Sequence, residues 1–412
     1  MPGFEIFGEE ERREVSDVLE TGVLFRYGFD NARNGHWKAK TFEQNLCRRT
    51  GAAYSHLCSS GTAALSIALA SCGIGAGDEV ILPPFTFVAT FESVLQAGAT
   101  PIFSEIDQTL CLDPSKLQDV LTEKTKAVIP VHMCGAMARI DKIKEFCDAH
   151  NLILIEDACQ SMGATFKGKS LGTFGDMGCF SFDAVKTITC GEGGGVITDS
   201  ARLYERADQY ADHGHDHLGD ADRGADDHPI IGSNYRISEL NAAVGVAQLK
   251  KLDRILEVQR KNKRLIKDAL SNLNSRLCKK GNSSVEQISF RDIPDPEGDS
   301  GTFLSFFLPD ERRAQAVRQK LAANGVDGCF YWYDNNWHYM RHWHHLKEMK
   351  TAAKLPIQVL NPNNYNYSSI RLEQSDAIMK RTISMQIKLS WTDTDIQERI
   401  KKITDAITDA FV

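Results

Sequence analysis

Between His56 and Thr198 the chain repeats one pattern, a short apolar and β-branched run followed by a stretch with helical periodicity. The runs are HLCSS (56–60), EVILPP (79–84), TPIFSEI (100–106), AVIPVHM (127–133), LILIEDA (152–158), GCFSF (178–182) and GGVITD (194–199). They lack the alternation of a half-solvated strand, and a strand that is apolar on both faces must be covered on both faces. Strands of this kind, spaced by helices, predict a largely parallel sheet in an α/β domain. The intervening helices carry matching signals. In SSGTAALSIALASCG, Ser60 caps the first turn, residues 63–70 are apolar around nearly the whole circumference, and Gly73 ends the run, which predicts a buried helix. DKIKEFCDAH (141–150) is the amphipathic counterpart.

After residue 200 the texture changes. HGHDHLGDADRGADDHP (213–229) has no apolar period and reads as a long polar loop, functional or disordered. ISELNAAVGVAQLKKLDRILEVQRKNKRLIKDAL (237–270) predicts a long helix that bridges into a second domain, where FLSFFLP (303–309) alternates with ERRAQAVRQKLAANG (311–325). A length of 412 residues calls for more than one core. The expected division is a large domain with an N-terminal helix over 1–250 and a small C-terminal domain over 251–412.

Composition narrows the partners. The 48 basic and 55 acidic residues leave a net charge of -7, the wrong sign for a nucleic-acid surface, and no basic run overrules it. Eleven cysteines contain no C-x-x-C pair and sit mostly in apolar segments, as reduced thiols in a cytoplasmic protein do. The opening MPGFEIFGEEERREVSDVLE lacks an apolar signal core, and no apolar run is long enough to cross a bilayer, so neither export nor a membrane partner is expected.

Within this frame, FSFDAVKTITCGEGGGVIT (180–198) places Lys186 just ahead of a glycine cluster. A phosphate loop needs its lysine after the glycines, so that reading fails. A dinucleotide site needs G-x-G-x-x-G between a strand and a helix; neither GEGGG nor GIGAGDE (73–79) supplies it, and GEGGGVITD leads into a strand. Taken alone, Lys186 is a surface lysine beside a tight turn. Two other features give it company. LIEDACQSMGA ends an apolar strand with Glu156 and Asp157, at the carboxyl end where open α/β sheets bind ligands. An acid there either caps the next helix or keeps a pyridinium nitrogen protonated. Ser60-Gly61-Thr62, at a strand-to-helix turn, serves as a cap and as an anion site.

The motifs SSGTAAL (59–65), PPFTFVAT (83–90), EDACQSMGA (156–164), FSFDAVKTITCGEGGGVIT (180–198) and GSNYRISELNAAVGVAQL (232–249) resemble, in order, those of the DegT/DnrJ/EryC1/StrS sugar aminotransferases. The resemblance implies the fold type I of pyridoxal 5'-phosphate enzymes: a large domain with a seven-stranded, mostly parallel sheet plus a smaller C-terminal α/β domain. It also implies that Lys186 is the Schiff-base lysine, that Asp157 pairs with the pyridinium nitrogen, that Gln160 lies near the ring hydroxyl and that Phe87 stacks on the ring. Gly61, Thr62 and Ser181 would hold the phosphate together with Asn234 of the partner subunit, which implies a homodimer with shared active sites. Relatives with histidine in place of this lysine are dehydratases, so Lys186 favours transamination.

FRYGFDNARNGHWK (25–38), DHGHDHLGDADRGADDHP (212–229), IPDPEGDS (293–300) and VDGCFYWYDNNWHY (326–339) are similar to a narrower branch of that family. The branch transfers the amino group of glutamate, leaving 2-oxoglutarate, to C8 of an 8-oxo-3,8-dideoxy-octulosonate, giving the 8-amino sugar of lipopolysaccharide. His213, His215 and His217 alternate as on one strand face; with nearby aspartates they suit a metal, and a flexible polar loop fits equally. The reading adopted has no metal: the loop faces a polyhydroxylated acid, with His215 and His217 as substrate contacts and Arg223 on the carboxylate. The aromatic run FYWYDNNWHYMRHWHH (330–345) either stacks on sugar or belongs to a core or interface. Two rivals stand beside this function. One is a nucleotide-linked 4-keto-6-deoxyhexose aminotransferase. The other is a non-catalytic regulator that binds the cofactor, which would bring a helix-turn-helix and a basic face, and neither is visible.

Overall fold

All seven apolar runs form strands of one sheet in the computed structural model, which describes residues 3–217, 224–280, 288–360 and 366–411. The strands are β1 (Tyr54–Cys58), β2 (Glu79–Leu82), β3 (Thr100–Phe103), β4 (Thr125–Val128), β5 (Ile153–Asp157), β6 (Met177–Ser181) and β7 (Gly194–Thr198), in the order β1-β7-β6-β5-β4-β2-β3. From β6 to β3 every neighbouring pair is parallel; β7 alone runs antiparallel to both β6 and β1. Its register sets up the site. Gly194 pairs with Cys58 on one side and Ser181 on the other, so the ends of β1 and β6 meet at the start of β7. The strand predicted over 127–133 stops at Val128, because Pro130 has no N–H to continue the ladder.

Around the sheet lie α1 (Glu9–Thr21), α2 (Lys38–Thr50), α3 (Gly61–Ser71), α4 (Ala89–Gln96), α5 (Ile140–His150) and α6 (Ala201–Ala211). Alternate strand residues serve opposite faces. Val80 and Leu82 pack with α3, α4 and α6, while Ile81 belongs to the core that takes in α5. Ser60 caps α3 as predicted, its hydroxyl accepting the Ala63 N–H at 3.0 Å, and the helix is almost wholly buried.

The long helix predicted over 237–270 is two helices, α7 (Glu239–Lys250) and α8 (Leu252–Lys280), broken at Lys251. The two segments pack on different partners, which one straight rod does not permit. α7 beds on α1 and α2, where a Cβ on Gly245 would stand 2.2 Å from the Phe42 ring. Lys251 is held at the break by the Ile6 carbonyl (2.9 Å) and the Glu11 carboxylate (2.8 Å). α8 runs on to an antiparallel sheet of β8 (Ser289–Phe290), β9 (Phe303–Phe307), β10 (Cys329–Phe330) and β11 (Thr382–Gln386), ordered β8-β9-β11-β10. The helices α9 (Glu311–Ala323) and α10 (Asp393–Phe411) back this sheet.

Between β10 and β11 of the small sheet the chain crosses back over the large one. Thr86 and Val88 donate their N–H groups to the carbonyls of His338 and Trp337, each at 3.0 Å, and Trp343 is buried against Phe91 with ring centroids 4.5 Å apart. The aromatic run is thereby laced to the PPFTFVAT loop. Among the described residues no helix is long and apolar enough to cross a membrane.

Candidate active site

At the carboxyl end of the large sheet, facing the small one, lies a cavity of about 530 Å³. It brings together Gly61, Thr62 and Ser181 with Phe87, Asp157, Gln160 and Lys186. These residues come from four separate stretches of sequence, and the strand order makes them neighbours. A larger open groove of about 710 Å³ beside the edge strand β3 contains none of them.

The anion end is built by close backbone approach. A Cβ on Gly61 would lie 2.7 Å from Ser181 Cβ and 3.0 Å from its hydroxyl, so the first turn of α3 sits directly against β6. The opening turn of a helix leaves N–H groups without intrahelical partners, and with Ser60 Oγ given to Ala63, those of Gly61 and Thr62 remain for an anion. The glycine cluster serves the same junction. A turn that clears space for the outgoing strand explains only Gly191, whose φ is 79°. Gly194 is there for contact, since a Cβ on it would strike the Ser60 carbonyl oxygen at 2.2 Å. Gly194→Ala is expected to cost about 1–3 kcal/mol by forcing β7 away from α3, and to loosen the anion site. Denaturant unfolding and the cofactor retained through gel filtration check both effects.

The acid end is equally defined. Asp157 is 4% exposed; its Oδ1 accepts the Cys159 N–H at 3.1 Å, and its Oδ2 accepts the Thr90 hydroxyl at 2.9 Å. Thr90 Oγ1 lies 2.7 Å from Thr86 Oγ1, so a short hydroxyl chain orients the carboxylate. Glu156, next along β5, points to the other face, as strand geometry requires. It accepts the N–H groups of Gly172, Phe174 and Gly175 at 2.8, 2.5 and 2.8 Å and meets His132 Nε2 at 2.9 Å. Glu156 therefore pins a turn, and Asp157 is the acid offered to a ligand. Gln160 Oε1 accepts the Cys134 N–H at 3.1 Å, which fixes the orientation of its amide. Lys186 closes a turn after β6, its N–H bonded to the Asp183 carbonyl at 3.0 Å, and among the described residues no carboxylate forms an ion pair with its amine.

The family model for the DegT/DnrJ/EryC1/StrS aminotransferase family matches residues 6–404. The chain belongs to that family. It is 31% identical over 370 residues to GDP-perosamine synthase of Vibrio cholerae, covering 88% of this chain and 90% of that one. Identity rises to 42% with L-glutamine:2-deoxy-scyllo-inosose aminotransferase of Streptomyces kanamyceticus, but over 230 residues, so that match spans 53% of this chain and about half (52%) of the relative. The fold superposes on the aminotransferase from Psychrobacter cryohalolentis with a TM-score of 0.80 at 27% identity, covering 98% of each chain.

Pyridoxal 5'-phosphate is the cofactor of this aminotransferase fold, and the cavity fits it. A helix start with free N–H groups suits the phosphate, a buried carboxylate suits the ring nitrogen, and an amine without a carboxylate partner suits the aldehyde.

The remaining expected site residues of this family member lie elsewhere. Asn234 is exposed and outside the cavity. His215 and His217 also lie outside it: His215 Nδ1 meets Asp226 at 2.5 Å, and His217 stacks on Tyr27 with centroids 4.2 Å apart. The three histidines do not share a strand face, because His213 and His217 have left-handed backbone, with φ of 57° and 51°. The group with metal-ligand spacing among the described residues is instead His215, Asp226 and His228, whose ligand atoms fall within 4.8 Å of one another. Arg223 lies outside the described residues. The Tyr27–His217 contact joins the segments 25–38 and 212–229.

The aromatic run divides between its two readings. Phe330, Trp332, Trp337 and His338 line the cavity, whereas Tyr339 and Trp343 are core. Sequence reasoning did not single out Thr86, Thr90 or His338. The threonines lie in PPFTFVAT (83–90) at i, i+4 spacing, and only the buried partner Asp157 reveals their use. His338 donates Nδ1–H toward Asn335 Oδ1 at 3.0 Å, and burial, then the nearby Lys186 charge, pushes it down to about 4. Since its folded value is depressed, this group favours folding fully at neutral pH. That contribution is lost as pH falls from the ordinary histidine range near 6.5 towards 4, where the unfolded chain takes a proton that the cavity refuses. His338→Asn is expected to flatten the fall in stability between pH 7 and pH 5, read by urea unfolding at both values.

Proposed function

We propose that this aminotransferase moves the amino group of glutamate to C8 of an 8-oxo-3,8-dideoxy-octulosonate, giving 8-amino-3,8-dideoxy-octulosonate for lipopolysaccharide and releasing 2-oxoglutarate. The observation that carries the reaction type is the cavity that holds Lys186 and Asp157 beside the Gly61, Thr62 and Ser181 anion cup. Bound there, pyridoxal 5'-phosphate supplies an electron sink for the bond broken at the amino-bearing carbon. The protein's own residues supply the rest. Lys186, as its neutral amine, takes a proton from the substrate carbon and returns it, so one side chain is both nucleophile and general acid/base. Asp157 would keep the ring nitrogen protonated, and Thr90 and the Cys159 N–H hold the carboxylate in place. Gln160 would face the ring hydroxyl, and Phe87, paired with Trp337 at an interplanar angle of 5°, would cover the ring.

The same proposal takes the active unit to be a homodimer in the cytoplasm, with Asn234 of the partner subunit completing the phosphate site. In its support, Asn234 is exposed, Ile231 beside it is 95% exposed, and Val185 next to Lys186 is also exposed. The eleven cysteines are all free thiols, in keeping with a reducing compartment. We assign cofactor binding to residues 1–250 and the facing wall to residues 251–412. His215, His217 and Arg223 are proposed as contacts to the sugar acid reached across the dimer.

The substrate rests on the four segments similar to the octulosonate branch, one of which, 326–339, lines the cavity. A nucleotide-linked 4-keto-6-deoxyhexose is the alternative favoured by the V. cholerae relative. Parallel assays with both acceptors and glutamate decide: turnover of the nucleotide sugar alone removes the octulosonate reading. Bleaching of the visible cofactor band by glutamate tests the donor.

A further inference from the structure

The cavity wall opposite the sheet contains a lysine that none of the cofactor assignments uses. Lys388 follows β11 and lines the cavity with Gln386, and among the described lining residues Lys186 and Lys388 are the two basic amines. With Lys186 committed to the cofactor, Lys388 is the second lysine of the cavity wall and is available to a substrate carboxylate, in addition to the Arg223 proposed to reach the sugar acid. Two of the acids lining the cavity already accept backbone N–H groups. Glu5 accepts the N–H groups of Leu389 and Ser390 at 2.9 and 2.8 Å, and Asp183 accepts the Val185 N–H at 2.9 Å.

Lys388 itself is held by Asp327, and Asp327 does not depend on it. Arg399 bonds Asp327 Oδ1 at 2.7 Å and also the Asp327 carbonyl. Arg399 is buried and its guanidinium lies 4.5 Å over the Trp391 ring, so it stays in place. The contacts of Lys388 and Arg399 hold the Asp327 carboxyl below its ordinary range. A half-exposed ion pair with one redundant cation exchanges partners at little cost. A lysine amine on a four-carbon stem, waiting beside a cavity, is suited to a carboxylate that arrives with a ligand.

We propose that Lys388 is a specificity residue that leaves Asp327 to bind a substrate carboxylate. This rests on the reading of the cavity as an aminotransferase site for carboxylate-bearing substrates, and two carboxylates are in question, that of the amino donor and that of the sugar acid. Calorimetric titration of the holoenzyme with unreactive mimics separates them: glutarate for the donor, and 3-deoxy-octulosonate, which lacks the aldehyde, for the acceptor. Lys388→Met is expected to weaken one or both by about ten- to a hundredfold, the range for a charged hydrogen bond. Lys388→Arg is expected to restore binding to within a few-fold of the parent. The methyl ester of the sugar acid should bind parent and Lys388→Met alike. Equal binding of both mimics to parent and Lys388→Met overturns the proposal, as does failure of both to bind the parent. Glutamate bleaching of the parent keeps the two readings apart: bleaching with unaffected Lys388→Met binding overturns this inference alone, and no response to any carboxylate substrate overturns the aminotransferase reading and this inference with it.

Discussion

Lys186→Ala is expected to lose turnover by about ten-thousandfold or more, since it removes both the nucleophile and the general acid/base in one step. The visible band of the purified protein should vanish with it. The loss is chemical in origin. The Lys186 side chain is half-buried, and among the described residues no carboxylate pairs with it, so its removal orphans no partner. Unfolding free energy should move by only about 0.5 kcal/mol, as at other positions without a buried partner. Lys186→Arg is a sharper control. It keeps the charge, but a guanidinium does not give up its proton near neutral pH and cannot act as a neutral nucleophile, so it should be as inactive as alanine. Single-turnover rates and absorbance spectra of the two variants check this. A colourless Lys186→Ala protein that still turned over would remove the central assignment.

Asp157→Asn should cost about ten- to a thousandfold in rate with little loss of stability. The rate estimate follows from the shift of one to three pKa units that a close opposite charge imposes, each unit being about a tenfold change. The small structural cost follows from the local hydrogen bonds. Asparagine keeps an oxygen for the Cys159 N–H, and its amide faces Thr90, whose hydroxyl can reverse and donate to Thr86 2.7 Å away. The chain of hydroxyls absorbs the change, at about 1 kcal/mol or less. Rate loss with an unchanged unfolding midpoint is therefore the expected pair of results. Full activity in the asparagine variant would show that the ring nitrogen does not depend on this acid.

Much of this architecture was readable in advance, for reasons that differ by element. The seven strands are apolar on both faces, and that composition leaves few alternatives to a doubly covered sheet. α3 announced itself through Ser60 and its apolar circumference because both signals are local. The break at Lys251 was hidden, since the helical period continues through it and only packing on two different partners requires it. The glycine cluster was visible but its role was not: Gly194 is small because of the Ser60 carbonyl, a contact between residues far apart in sequence. Glu156 and Asp157 stood side by side as equals until the pleat sent one to a buried turn and the other to the cavity.

By itself, the sequence determined the sheet and the buried helix, and through motifs similar to a family it led to the expectation that Lys186 and Asp157 serve one site. These rest on short-range patterns or on residue types with few other uses. Tertiary structure alone decided which side chains share the cavity, because that depends on strand order and on the return of residues 337–343 across the large sheet. It placed Thr90 under Asp157, His338 beside Lys186, and Lys388 opposite them on a second sheet. No periodicity records such contacts, since each is made by two chain segments that meet only after both have folded.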